Sequence, residues 1–411
     1  MPNDTATTDD AQPADQPNAD GTGADAPSGS LPPAVAGVRP RAVGDEEYDR
    51  VIEQFGATPV TAEQVGRFPD HPLVRRGVFY AGRDLDPFLA AAERGDPHSI
   101  VTGVGPSGPL HLGHVFPFYF AKALQERTGA HVYVPVSDDE KLFTRDLTAG
   151  EVRGHLRENL RDLLAVGFDP ERTRIVIDTA DAGALYPQAT RFAAGITQST
   201  VEATYGEPRN AGESFYPAMQ ATHLLLPQLV RGEHPTLVPI AVDQDPHVRV
   251  ARDVAGKAAY DVRKPGALLS TFLPGLGGPG KMSSSDDAPS IRLTDDRETV
   301  AEKVNGHAHS GGRGSVAEHR EHGGDPAVDV AFRYLHAFFE PDDAEVERLA
   351  HEYRAGDLLS GELKAAAIER IADFLDAHRR RRAALGDLRE ELAPYRLREA
   401  ERARLRADTP E

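Results

Sequence analysis

The sequence predicts an α/β protein, a doubly wound parallel sheet followed by an all-helical C-terminal domain. Three observations carry this. The chain has 411 residues, more than one ordinary core accommodates. Apolar runs of strand length alternate with helical patterns from about His98. Beyond about Thr294 strand signals fade and only helical patterns continue.

The strands are read as follows. Ser99–Thr102 is a short apolar run that ends at a Gly/Pro-rich loop. His131–Val136 (HVYVPV) has the β-branched and aromatic residues that suit a pleated, buried surface. Arg174–Asp178 (RIVID) and Thr236–Val242 (TLVPIAV) are two further runs of the same kind. Between them lie helical patterns from Leu112 to about Arg127, at Ala149–Val166, at Tyr186–Tyr205 and at Ala218–Leu229. Upstream, Glu46–Phe55 and Leu85–Arg94 suit helices. Downstream, Val328–Phe339, Asp343–Tyr353 and Gly361–Arg382 do so as well. No internal repeat is present.

Composition sets limits. There is no Cys, which excludes disulfides, thiolate metal sites and a cysteine nucleophile. No run of about 18 apolar residues predicts a transmembrane helix. The N-terminus has neither a basic flank nor an apolar core, so no secretory signal is expected, and the location is expected to be cytoplasmic. Net charge is −19, and only seven of the 46 cations are Lys. Residues 1–40 hold six Asp and one Arg, so about −5 of this lies there and about −14 on the rest. Dispersed acid with little Lys suits a halophilic protein, whose self-repulsion is screened by concentrated salt. Taken alone, the charge argues against a nucleic-acid partner.

Composition shifts also divide the chain. Residues 1–42 read as a disordered acidic tail, poor in large apolar side chains. Residues 43–97 form an N-terminal appended module, 98–293 the sheet domain and 294–411 the helical domain.

Two motifs point to chemistry. Gly103-Val-Gly105-Pro-Ser-Gly108 matches a dinucleotide fingerprint, but Pro109 follows at once and no acid is cleanly placed after the second strand. More informative is His111-Leu-Gly113-His114, where that loop enters a helix. A helix N-terminus offers free N–H groups and a positive dipole end to a phosphate. Two His three residues apart share a face there, and Gly113 leaves room for an adenine ring. Read blandly, the pair is capping or core histidine. The second motif is Lys281-Met282-Ser283-Ser284-Ser285 behind a Gly/Pro-rich arm, one Lys and three hydroxyls suited to a polyphosphate. Alone it also reads as a solvated loop; paired with the histidines on the same kind of sheet, that reading becomes improbable.

This pair, with longer blocks in the same order, resembles the tryptophanyl-tRNA synthetases of archaeal and eukaryotic type, class I enzymes. The blocks are GPSGPLHLGH at 105–114, SDDEK at 137–141, SFYPAMQA at 214–221, AVDQDPHVRVARDVA at 241–255, GKMSSSD at 280–286, SGGR at 310–313, EHREHGGDPAVDV at 318–330 and LLSGELK at 358–364. The resemblance covers about residues 45–395. It implies a Rossmann-like catalytic domain with a dimer-interface insertion, a helical anticodon-binding domain and a homodimer. It implies ATP with Mg²⁺, L-tryptophan and tRNA(Trp) as partners.

It also implies roles. His111, His114, Lys281, Ser283, Ser284 and Ser285 act on the phosphates, with Gly105, Ser107, Gly113 and Met282 around ATP. Glu140, Gln220 and Gln244 hold the ends of the amino acid, and Asp243 supports them or the ribose. The arginine run Arg379, Arg380, Arg381 and Arg382 is a candidate tRNA contact, or else a solvated helix face. His307, His309, His319 and His322 lack Cys partners and ligand spacing, so no metal site is expected.

One departure stands out. The family reads the indole N–H with a Tyr and a Gln at positions held here by Val101 and Pro135. Neither side chain offers an acceptor. Tyr133 lies on the same strand face as Pro135 and is the candidate replacement. Three alternatives stay open: a tyrosyl-type synthetase, a smaller nucleotidylyltransferase and a non-catalytic tRNA-binding paralogue.

Overall fold

The computed structural model describes residues 52–257, 260–281 and 290–407. The acidic tail at 1–42 and the loop residues Met282, Ser283, Ser284 and Ser285 lie outside them.

Seven strands form the main sheet: β1 (Thr58–Pro59), β2 (Phe79–Arg83), β3 (Ser99–Val101), β4 (His131–Val136), β5 (Thr173–Ile177), β6 (Thr236–Ala241) and β7 (Gly266–Ser270). Their order is β1-β2-β7-β6-β3-β4-β5. The five strands from β7 to β5 are parallel, while β1 and β2 add an antiparallel edge. The sheet is therefore mixed, and residues 58–83 belong to it. A two-stranded hairpin, β8 (Pro274–Gly275) with β9 (Gly278–Lys281), follows.

The helices of nine or more residues are α1 (Leu85–Arg94), α2 (Leu112–Thr128), α3 (Ala149–Val166), α4 (Ala182–Ala193), α5 (Ala211–Arg231), α6 (Asp245–Ala255), α7 (Arg297–His307), α8 (Asp343–Ala355), α9 (Ser360–Ala383) and α10 (Glu399–Ala407). Their ends follow local chemistry. Thr148 and Glu151 form a reciprocal capping box at the start of α3, and Gly167 ends it at φ 84°, a conformation glycine adopts without strain.

Two sequence expectations shift. The pattern at Tyr186–Tyr205 is two helices, α4 and Gln198–Tyr205, separated at Ala194–Thr197. The α5 helix starts at Ala211 and runs through Pro217 and Pro227. Tertiary packing overrides the proline penalty there, because both prolines are buried.

β4 is buried from Val132 to Val136, as expected of a central strand covered on both faces. The helical region shares this core. On α9, Leu363, Ala367, Ile371 and Leu375 recur at helical spacing, all are buried, and α9 packs against α3 and α7. Each fully buried Leu or Ile of this stripe contributes roughly 1.5–3 kcal/mol. Phe116 of α2 stacks on Phe338 at 4.6 Å. α10 returns to α4 and α5, with Leu405 fully buried.

Candidate active site

The chain passes from β3 through β4 to β5, then crosses back to β6 beside β3. At that reversal the loops after β3 and β6 diverge, which opens a crevice at the strands' carboxyl ends. A cavity of about 530 Å³ lies there. Gly105, Ser107, His111, Gly113, His114, Glu140, Gln220, Asp243 and Gln244 all line it. Sequence-distant candidates thus converge on one cavity.

His111 caps α2, so the pair stands at the positive end of a 17-residue helix. The two imidazoles stack at 3.8 Å, and the His111 N–H donates to His114 Nδ1 at 3.4 Å. The phosphate arm is tied to the same place from both ends. Lys281, the last residue of β9, is in register with Pro274, which lines the cavity. Where the described chain resumes, the Leu112 N–H donates to Ile291 O and the Leu293 N–H to Leu110 O, both at 3.0 Å. His111 pairs with Arg292 in that short ladder. Lys303 anchors the segment by donating to Ser290 O at 3.0 Å and to Asp295.

Around the far end of the cavity, Glu140 pairs with Lys141 at 2.5 Å and accepts from Thr144 Oγ at 2.6 Å. A Cβ on Gly105 would lie 2.3 Å from Lys141 Cε, so any larger residue there would displace the flexible end of that side chain. Gln220 donates to Tyr216 OH, and Gln244 Nε2 to Asp243 at 3.1 Å. Burial drives His247, which also lines the cavity, down to about 4.

Val101 and Pro135 both line the cavity. Tyr133 does not take their place. It is 1% exposed and lies in the apolar cluster with Val101, Val176 and Leu225, away from the cavity wall. A polar pair that sequence reasoning missed stands nearby. His223 Nε2 lies 2.8 Å from Asp178 Oδ1, and His223 lines the cavity. Burial pushes Asp178 well up, and burial with the adjacent Asp178 raises Asp139 to about 6. The helical spacing of Tyr216, Gln220 and His223 was the available signal.

The arginine run is partly committed inside the protein. Arg382 pairs with Asp162 at 2.7 Å and with Glu158, and Arg381 donates to Ala165 O at 2.6 Å and Tyr119 OH at 2.7 Å. Arg379 pairs with Asp376 at 3.1 Å, and Arg380 is exposed. Further on, Arg396 and Arg402 both pair with the buried Asp181. His319 is buried against Leu358 O at 2.9 Å. Among the described residues no three His, Asp or Glu converge as a metal cage.

Residues 93–376 match the family described as tRNA synthetases class I (W and Y). The chain is 64% identical to a protein of Halobacterium salinarum named tryptophan--tRNA ligase 2, over 88% of this chain and 94% of that one. It is 39% identical to the cytoplasmic tryptophan--tRNA ligase of Saccharomyces cerevisiae, over 89% and 88% of the two chains. Among solved structures, the tryptophanyl-tRNA synthetase from Giardia lamblia superposes with a TM-score of 0.79 at 34% identity, over 86% of this chain and 97% of that one.

Proposed function

The chain belongs to the class I tRNA synthetases for tryptophan and tyrosine, and from that premise we propose how its residues ligate L-tryptophan to tRNA(Trp). The observation that carries the reading is the convergence of the histidine pair, the base of the Lys281 arm and the Glu140/Gln220/Gln244 group on one cavity.

The enzyme is an aminoacyl-tRNA synthetase of the tryptophan type. In the first step a carboxylate oxygen of tryptophan bonds to the α-phosphorus of ATP, and the bond to the β-phosphate oxygen breaks. Tryptophanyl-adenylate and pyrophosphate result. In the second step a terminal tRNA hydroxyl takes the acyl group and AMP leaves. The substrate brings its own nucleophile, so the protein's task is placement and stabilisation of charge on phosphate.

His111 and His114, at the helix N-terminus, hold the α-phosphate side. Lys281 with Ser283, Ser284 and Ser285 holds the departing pyrophosphate, beside Met282, and Gly105, Ser107 and Gly113 make room for the nucleotide. Glu140 takes the substrate ammonium; Gln220 and Gln244 take its carboxylate end, with Asp243 in support. Mg²⁺, bound with ATP, would supply positive charge to the phosphates as pyrophosphate leaves, beside the groups that hold them.

Residues 294–411 are assigned to anticodon binding, with Arg380 the most available of its arginine run. A homodimer forms through the segment between β4 and β6. Leu142, Tyr186 and Tyr205, three large exposed apolar side chains, lie in that segment and support the assignment. The cytoplasm is the proposed location; no described helix is long and apolar enough to cross a membrane.

Amino-acid-dependent ATP–pyrophosphate exchange tests the reading. Exchange is expected with tryptophan and not with tyrosine. Exchange with tyrosine alone would move the chain to the sister specificity, and no exchange with any amino acid would favour a non-catalytic paralogue.

A further inference from the structure

At Val101 and Pro135 the cavity wall offers no side-chain acceptor. An indole N–H buried there loses its bond to water and gains none, which costs affinity. The helix across from that wall carries a polar ring. His223 lies on α5 with Tyr216, Gln220 and Leu224, and all four line the cavity. α5 packs over β3 and β4, and Val101 and Tyr133 share one apolar cluster with Ala218, Met219 and Leu224. Pro135 is on the same face of β4 as Tyr133. His223 therefore faces the wall that Val101 and Pro135 form.

The ring is held in a defined way. Its Nε2 is 2.8 Å from Asp178 Oδ1, with the two side chains 2% and 0% exposed. Asp178 follows β5 directly, and its N–H donates to Val136 O at 3.2 Å, one residue beyond Pro135. A nitrogen facing a carboxylate acceptor carries the hydrogen, which leaves Nδ1 with a bare lone pair. Oδ1 is the Asp178 oxygen that faces Nε2, and its Oδ2 meets no hydrogen-bond partner among the described residues. Burial also keeps the imidazole neutral, at about 4.

We propose that His223, with its tautomer set by Asp178, accepts the indole N–H of tryptophan through Nδ1. It does the work that Val101 and Pro135 cannot. The proposal rests on the tryptophan reading above. His223 is a specificity-determining contact and Asp178 a positioning residue.

The test compares kcat/KM in ATP–pyrophosphate exchange for tryptophan and for benzothienyl-L-alanine, in which sulfur replaces the N–H. The full-length wild type is expected to favour tryptophan by about a hundredfold or more. H223L should reduce the preference below about tenfold, losing far more activity on tryptophan than on the analogue, on which it stays active. That retained activity shows the variant is folded. H223Q, whose amide N–H can face Asp178 while its oxygen accepts, should restore part of the preference. D178L removes the acceptor that faces Nε2, leaves the tautomer unset and should lower the preference towards that of H223L. An H223L enzyme with the wild-type preference overturns the proposal. If H223L loses both activities, D178L with the wild-type preference overturns it instead. A wild type that activates another amino acid and not tryptophan overturns the functional reading, a distinct result from an unshifted ratio.

Discussion

Replacing Arg83 with Met should destabilise the fold by about 3 kcal/mol or more, through a charge the variant leaves behind. Arg83 ends β2, and its Nε and Nη2 donate to the two oxygens of Asp245, each at 2.8 Å. The side chains are 6% and 2% exposed, so water does little to screen the pair. A third donor, Nη1, reaches Phe55 O at 2.7 Å. Breaking a pair this buried costs about 3–5 kcal/mol, because the remaining ion has no solvent to turn to. Two features hold the loss near the lower end. Arg249 stays 3.2 Å from Asp245, and Asp245 opens α6, where the helix dipole favours an anion by about 0.3–1 kcal/mol. Urea unfolding of the full-length chain at one fixed KCl concentration measures the loss. R83M/D245L, which removes both charges, should recover most of it. α6 follows the turn that carries Asp243 and Gln244, so R83M should also raise KM for tryptophan more than it lowers kcat. A loss below about 1 kcal/mol, or a double variant no better than the single, would refute this reasoning.

Other expectations follow from charge and chemistry. Lys281→Ala should cost on the order of a hundredfold or more in adenylate formation, and a loss of a few-fold would remove Lys281 from the pyrophosphate site. The urea midpoint should be higher in molar KCl than in dilute buffer, because about −14 of charge lies outside the tail. Equal midpoints would count against adaptation to salt. Stability should rise with pH between about 4 and 6.5. Burial lowers His71, His131, His223, His247 and His336 from 6.5 to about 4, so in that window the unfolded chain binds the extra protons and acid favours unfolding. Asp139, raised from 3.8 to about 6, and Asp178, raised well above 3.8, act in the opposite sense, since there the folded form holds the proton. Five groups outweigh these two, and a midpoint that falls from pH 4 to 6.5 would contradict this balance.

Much of the architecture was legible because its signals are local. The β4 run and the α3 pattern between Thr148 and Gly167 carry period and caps in a few residues, and α3 falls where those signals put it. β2 and β7 were missed. Gly266–Ser270 (GALLS) is five residues behind Pro265, too short for periodicity to separate strand from helix. The phosphate side of the site was legible because His111-x-Gly113-His114 sits at a predicted loop–helix junction. The Asp178–His223 pair was not, because its members lie 45 positions apart and meet only when α5 packs over the sheet. The arginine run shows the same limit from the other side. Its charge was visible in sequence, but Arg382's partners Asp162 and Glu158 lie on α3, more than 200 residues earlier. Local charge density says nothing of such pairing.

The central claim is transfer of tryptophan to tRNA(Trp). Its most direct measurement is acylation of purified tRNA(Trp) and tRNA(Tyr) by the full-length chain with ATP and Mg²⁺ in molar KCl, with labelled tryptophan and labelled tyrosine in turn. Label should appear on tRNA(Trp) from tryptophan alone. Label from tyrosine on tRNA(Tyr), or none on either tRNA with an enzyme that binds both, would contradict the account.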